Sequence, residues 1–269
     1  MEHYVSRNGR YYLAVGGIGG NTGTASMYSS DGRLVISAEM TAFTVGGSRA
    51  AVSDSGEMFA TAAYSHNGID LRDKDGRLIW NTKTVRKVQC LCFDKDETHL
   101  IVCNGDETPH AYYISISDPS DVRRIAAENV ICDPYGEDIV FKSGSKGSHV
   151  MINGKKIESP TFGYLAAIGT PVGIAVSPVS DDPRMYNRSG ELLWVSPIVS
   201  SGRSRHILRF AYLNGILFAL TRDSEIYMID EKTGSILGIA GQNAVCILEN
   251  GSSYLTVSGD IVKISVGKG

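Results

Sequence analysis

Gly16-Gly17-Ile18-Gly19-Gly20-Asn21-Thr22-Gly23 follows the apolar run Tyr11-Tyr12-Leu13-Ala14-Val15. A glycine-rich loop after a strand can cradle a dinucleotide pyrophosphate when it opens a helix whose N-terminus faces the phosphates. Here Ala25-Ser26-Met27-Tyr28 reads as a further strand, so the loop is expected to connect two strands, with a backbone anion nest as the lesser alternative. The six histidines, His3, His66, His99, His110, His149 and His206, stand singly and lack the H-x-H or H-x-x-x-H spacing that sets two metal ligands side by side. No G-x-S-x-G nucleophile elbow occurs. Histidines and carboxylates far apart in sequence would have to be brought together by the fold to do chemistry.

The cysteines are Cys90, Cys92, Cys103, Cys132 and Cys246, an odd set inside apolar runs such as Val88-Gln89-Cys90-Leu91-Cys92-Phe93. Strand alternation points Cys90 and Cys92 to the same packed face, and no second pair follows to complete the four ligands of structural zinc. The expectation is buried thiols in a reducing compartment, hence a cytoplasmic protein. No metal and no cofactor is expected. The N-terminus has no basic region leading into an apolar run, so it does not read as a signal peptide, and no run approaches the roughly 18 apolar residues of a membrane span. A net charge of -3 on 269 residues gives no global attraction to nucleic acid.

The elements that must position any site come in repeats. An apolar strand, a tight polar turn and a second apolar strand occur at Ala50-Ala51-Val52-Ser53, Asp54-Ser55-Gly56 and Met58 to Ala62, and again at Cys90 to Phe93, Asp94-Lys95-Asp96 and Leu100 to Val102. The two turns stand about 40 residues apart, a propeller-like period. Further turns fall at Asn8-Gly9, Asp133 to Gly136, Pro171 to Gly173, Asn214-Gly215 and Asn250-Gly251, which makes seven. A second unit lies between them: Asp31-Gly32-Arg33-Leu34, Asp75-Gly76-Arg77-Leu78-Ile79-Trp80, Ser189-Gly190-Glu191-Leu192-Leu193-Trp194 and Thr233-Gly234-Ser235-Ile236-Leu237. Asp-Gly and Asn-Gly accept the positive φ of a tight hairpin. Together the units give four strands per repeat; in the second they fall at 48–53, 57–63, 68–73 and 77–82. The first two strands of a repeat are nearly continuous apolar or small runs, whereas the outer two carry charges such as Asp70, Arg72 and Asp73. Strands covered on both faces and strands that meet water differ in this way. No window of about a dozen residues keeps a helical apolar period. The fold expected is all-β: one domain over 1–269, a seven-bladed β-propeller of four-stranded antiparallel blades.

The stretches 75–80 and 189–194 resemble the repeats of quinoprotein-type and WD-like β-propellers, and the resemblance covers nearly the whole chain. It implies architecture. The Gly-His and Trp-Asp dipeptides of WD repeats are absent, and two tryptophans set the chain apart from the tryptophan-rich propellers that bind pyrroloquinoline quinone. The Ser-x-Asp-x-Gly-x-Thr-Trp boxes of sialidase-like propellers are absent too.

In such a blade the loops from second to third strand, and from fourth strand to the next blade, emerge at one end. Arg49, Lys83, Arg86, Lys87, Arg203, Arg205 and His206 fall there, a basic set suited to phosphate, an acidic peptide or another oxyanion. Asp106, Glu107, Asp181 and Asp182 occupy loops at the same end and could neutralise it. The loop Ser177 to Pro183 reads as rigid. The function expected is a non-catalytic interaction module for a protein or peptide partner. The alternative is a small-molecule or anion binder, up to a lactonase-like or hydrolase-like enzyme with an axial pocket. Nucleic acid and membrane are not expected partners.

The last repeat has strands at 244–248, 253–257 and 260–266, and only Gly267-Lys268-Gly269 remain. Either residues 2–6 supply its fourth strand, or they pair with Tyr11 to Val15 in the first blade and the last blade has three strands. The second arrangement is favoured. It leaves the strand carrying Ile261, Lys263 and Ile264 with an open edge, covered by another chain or by a further segment, and Lys263 as its charged guard.

Overall fold

The computed structural model describes residues 2–17, 22–41, 48–63, 68–142, 149–161, 163–202, 206–248 and 251–264. Every regular element among them is a strand, apart from isolated turns. Two compact units divide the chain, 1–130 and 131–269.

The first unit holds three antiparallel sheets built in chain order. They are β1 (Glu2–Val5), β2 (Tyr11–Gly17), β3 (Thr22–Ser29) and β4 (Leu34–Thr41); β5 (Ser48–Val52), β6 (Met58–Ala63), β7 (Ile69–Asp73) and β8 (Leu78–Thr82); and β9 (Val88–Phe93), β10 (His99–Asn104), β11 (His110–Ser115) and β12 (Val122–Ala126). The unit boundary falls within β13 (Asn129–Ile131), which opens the fourth sheet with β14 (Ile139–Lys142), β15 (His149–Ile152) and β16 (Lys155–Glu158). In the second unit follow β17 (Tyr164–Gly169), β18 (Ile174–Pro178), β19 (Arg184–Tyr186) and β20 (Leu192–Val195), then β21 (Ile207–Leu213), β22 (Ile216–Thr221), β23 (Ile226–Asp230) and β24 (Ile236–Gly241). The last sheet has three strands, β25 (Ala244–Leu248), β26 (Ser253–Thr256) and β27 (Ile261–Lys263). These seven sheets are the blades of a β-propeller.

The strand positions read from the repeats hold to about one residue: the second blade's 48–53, 57–63, 68–73 and 77–82 become β5 to β8. Successive blades meet through their inner strands, β1 and β2 with β5, and β5 and β6 with β9. In the second unit β17 meets β21 and β22 meets β25. Between blades lie apolar layers, such as Leu13, Met27, Val52 and Phe59 between the first two and Leu71, Trp80, Val88 and Leu100 between the next two. The outer strands β8, β16 and β20 expose most of their length and each bury one large apolar side chain, Trp80, Ile157 and Trp194.

That single residue is the joint between blades. Trp80 Nε1 donates to Ile116 O at 2.9 Å, and Trp194 Nε1 to Glu231 O at 2.7 Å. In both cases the carbonyl belongs to the outer turn of the following blade. Gly234, at φ +72°, lies flat on the Trp194 ring, where an added Cβ would sit 2.7 Å from Cδ2. The Gly-x-Leu-x-Trp spacing is thus tandem: each glycine receives the apolar residue of the blade before it, and each tryptophan reaches the blade after. An Asx residue orders the turn itself; Asp73 Oδ1 accepts from Asp75 N and Arg77 N, and Asn187 Oδ1 from Ser189 N and Glu191 N.

The inner turns are also bolted. Asp54 accepts from Arg7 Nε at 2.7 Å and Asn8 N at 2.8 Å, and Glu97 accepts from Ser55 N and Ser55 Oγ. At the chain ends, Glu2 to Val5 pair with Tyr12 to Val15, so Tyr4 stands opposite Leu13 and the first blade keeps its own inner strand. The last blade accordingly has three strands.

Candidate functional site

The loop end of the second and third blades carries Arg49, Lys83, Arg86 and Lys87 of the basic set. Val85, 1% exposed, anchors the connection from β8 to β9 and leaves Lys83 and Arg86 in solvent on either side of it. Neither makes an ion pair among the described residues. Lys87 takes a left-handed φ of 49° and its Nζ lies 3.1 Å from Asp106 Oδ1. Arg49, at the start of β5, turns inward and donates from Nε to Gln89 O at 2.6 Å. The Lys87–Asp106 pair is the neutralisation that the neighbouring acids made possible; Arg49 is spent on a backbone carbonyl.

The loop between β10 and β11 is organised by Asn104, itself 3% exposed. Its Nδ2 donates to Asp106 Oδ2 at 2.7 Å and its Oδ1 accepts from His110 N at 2.7 Å. Gly105 N donates to Lys87 O at 2.9 Å, tying this loop to the connection before β9. A cleft of about 320 Å³ opens here, lined by Gln89, Cys90, Gly105, Asp106, Pro109, Glu128 and Asn129. Its walls hold two carboxylates, an amide pair and a thiol, so the cleft is polar and acidic; Lys83 and Arg86 stand exposed in the connection that leads into β9. The cleft itself was not legible in the sequence, because Gln89 on β9, Gly105 to Pro109 between β10 and β11, and Glu128-Asn129 at the start of β13 are unremarkable in a linear pattern.

The remaining candidates belong to the second unit or lie near the chain's other loops. His206 belongs to the second unit, where it is half-buried and its carbonyl accepts from Arg222 N at 3.0 Å. Arg203 and Arg205 lie outside the described residues. The acids of the fifth blade are structural: Asp181 pairs with Arg184 at 2.7 Å, and Asp182 accepts from Val199 N and Ser200 N, which fixes the loop through Pro183. Ile261, Lys263 and Ile264 lie on or beside β27, which pairs with β26 on one side and with no other strand among the described residues. The glycine loop joins β2 directly to β3, a strand; residues 18–21 lie outside the described residues.

The buried carboxylates are acceptors for the frame. Asp133, 1% exposed, takes Arg188 Nη1 and Tyr135 N, and Arg188 continues to Thr170 O at 3.0 Å. Glu231, 3% exposed, accepts from Tyr212 OH at 3.0 Å and Val172 N at 3.2 Å. Burial, and then this bond to Glu231, raise the Tyr212 phenol above its ordinary value. Among the described residues no group of three or more His, Cys, Asp or Glu is arranged to hold a metal ion.

None of the five cysteines is in a disulfide. Cys103, Cys132 and Cys246 are buried, but Cys90 and Cys92 are only half-buried, a correction to the expectation of five packed thiols. For Cys90 the reason is that it lines the cleft beside β9. Burial pushes the Cys246 thiol up to about 11. Cys90 moves the other way, held below the usual thiol range by its hydrogen bond with Cys103.

No helix among the described residues is long and apolar enough to cross a membrane. No protein-family model matches this sequence, and no curated protein matches it. The geometry therefore carries the functional argument.

Proposed function

We propose that this chain is a non-catalytic interaction module of the quinoprotein-like or WD-like kind, acting in the cytoplasm, which takes a protein or peptide partner on the loop end of its blades. The observation that carries the reading is a division of labour among polar groups. Asp54, Glu97, Asp133, Asp182 and Glu231 are each engaged in joints that hold turns or loops together. Lys83 and Arg86 make no ion pair among the described residues and stand exposed in the connection that leads into β9, the strand whose Gln89 and Cys90 line the polar cleft. Loops positioned by a stiff scaffold are where recognition concentrates. The partner envisaged is an extended segment whose backbone amides meet Gln89, Asp106, Glu128 and Asn129 in the acidic cleft, with any carboxylates of its own directed at Lys83 and Arg86 on the connection before β9.

The cleft volume supports a second reading, since about 320 Å³ lies at the low end of small-ligand sites. The two separate on one comparison. Affinity purification of the tagged chain from its native host, followed by mass spectrometry, is expected to recover a protein that a Lys83→Glu/Arg86→Glu variant loses and that added salt weakens. Recovery indifferent to both the variant and salt would remove the loop end from consideration.

A further inference from the structure

Cys90 on β9 stands directly opposite Cys103 on β10 in the antiparallel register. Directly opposed residues project from the same face of a sheet, with Cα atoms about 4.5–5.5 Å apart, inside the roughly 4.4–6.8 Å span that a disulfide bridges. The two thiols already hydrogen-bond. A register shift follows at Cys103/Asn104, where Gln89 is the extra residue of β9; a bulge gives this end of the strand pair room to draw together. The partners differ in access: Cys90 lines the cleft, while Cys103 is fully buried behind it. Cys92, two residues along on the same face, stands opposite Ile101 and its Sγ is 3.6 Å from Val130 O. It has no thiol across the ladder.

We infer that Cys90 and Cys103 form a reversible oxidation site, with Cys90 the thiol that meets a peroxide entering the cleft and Cys103 the thiol that resolves it. The chemistry balances with hydrogen peroxide as oxidant. The Cys90 sulfur attacks one peroxide oxygen and the O–O bond breaks; the proton from the thiol goes to the departing hydroxide, leaving Cys90 sulfenic acid and one water. The Cys103 sulfur then attacks the Cys90 sulfur, the S–O bond breaks, and the Cys103 proton leaves with that hydroxide as a second water. Two thiols lose two electrons and the peroxide gains them. The lowered Cys90 thiol, to which the Arg49 guanidinium also contributes, favours the first step, because the thiolate is the nucleophile. This site stands on the strand register and the cleft, independently of any partner at the loop end.

The test is a non-reducing peptide map of the full chain before and after hydrogen peroxide. Trypsin releases residues 88–95, with Cys90 and Cys92, and residues 96–123, with Cys103. The expected result is one linkage between these peptides in most molecules, reversed by dithiothreitol, with fragmentation assigning it to Cys90. Cys92→Ala should form it to the same extent and Cys90→Ala should lose it. In Cys103→Ala, dimedone should label Cys90 as the stranded sulfenic acid. Free thiols at both positions in oxidised, folded wild type would overturn the proposal, as would linkage through Cys92. The wild-type map decides the matter by itself if a variant fails to fold.

Discussion

Asp133 shows how a single residue holds this fold. Its side chain is fully buried and engages the half-exposed Arg188 guanidinium and the Tyr135 amide. Asp133→Ala would leave that guanidinium facing a void, and breaking a buried pair from one side costs about 3 kcal/mol or more. Urea denaturation should show a loss of that size, against little change for Asp75→Ala at an exposed turn. Asp94 adds a pH dependence. Burial raises its carboxyl, but hydrogen bonds from the His99 backbone and ring and from Thr98 outweigh it and hold Asp94 below the usual carboxylate range. A carboxyl depressed in the folded state stabilises fully above the unfolded value of about 3.9 and loses that contribution as pH falls through the folded one. Asp94→Asn is therefore expected to lower the urea midpoint at neutral pH and to flatten its decline toward about pH 3. At this scale the sequence was half legible. Trp80 and Trp194 announce an outer strand, but their acceptors, Ile116 O and Glu231 O, lie 36 and 37 residues away, and every residue has a carbonyl to offer.

At the scale of the element, strands and inner turns were legible because hydrophobic runs and Asp-x-Gly or Asn-Gly turns have a direct steric cause. The outer turns of the third and fourth blades were not. The third uses Asp118, whose Oδ1 accepts from Ser120 N and Oγ, in place of a glycine. The fourth uses Asn153-Gly154, both at positive φ, followed by Lys155 and Lys156 where the other repeats have leucine. Turn chemistry is degenerate, so one geometry is reached by several residue sets. The final strand, β27, is where element and environment meet. Val262 and Lys263 are exposed, and only β26 pairs with the strand among the described residues. Charged side chains on an edge strand discourage further pairing. Lys263→Val is expected to produce concentration-dependent association in sedimentation velocity at loadings where the parent chain sediments unchanged; identical boundaries for both would show that Lys263 guards nothing.

At the scale of the whole molecule, the blades and their number followed from the 40-residue period, whereas the candidate site did not. Its cleft depends on Gln89 and Cys90 from β9, Gly105 to Pro109 from the loop between β10 and β11, and Glu128-Asn129 at the start of β13, and no linear motif spans them. Lys83 and Arg86 could be read as exposed in advance because loops between apolar strands are where charge accumulates. A binding surface on those loops can change without touching the joints that hold the blades, since substitutions at exposed loop positions shift stability by under about 0.5 kcal/mol.

That separation gives the most direct measurement. Three forms of the chain, the parent, Lys83→Glu/Arg86→Glu at the loop end and Arg77→Glu at the opposite end of the second blade, where that side chain is 80% exposed, are immobilised at equal density after their melting temperatures are shown to agree. Host extract is passed over each and the retained proteins are quantified by mass spectrometry. The account predicts a partner retained by the parent and by Arg77→Glu and lost from the loop-end variant. Equal retention by all three, or loss from Arg77→Glu alone, would contradict it.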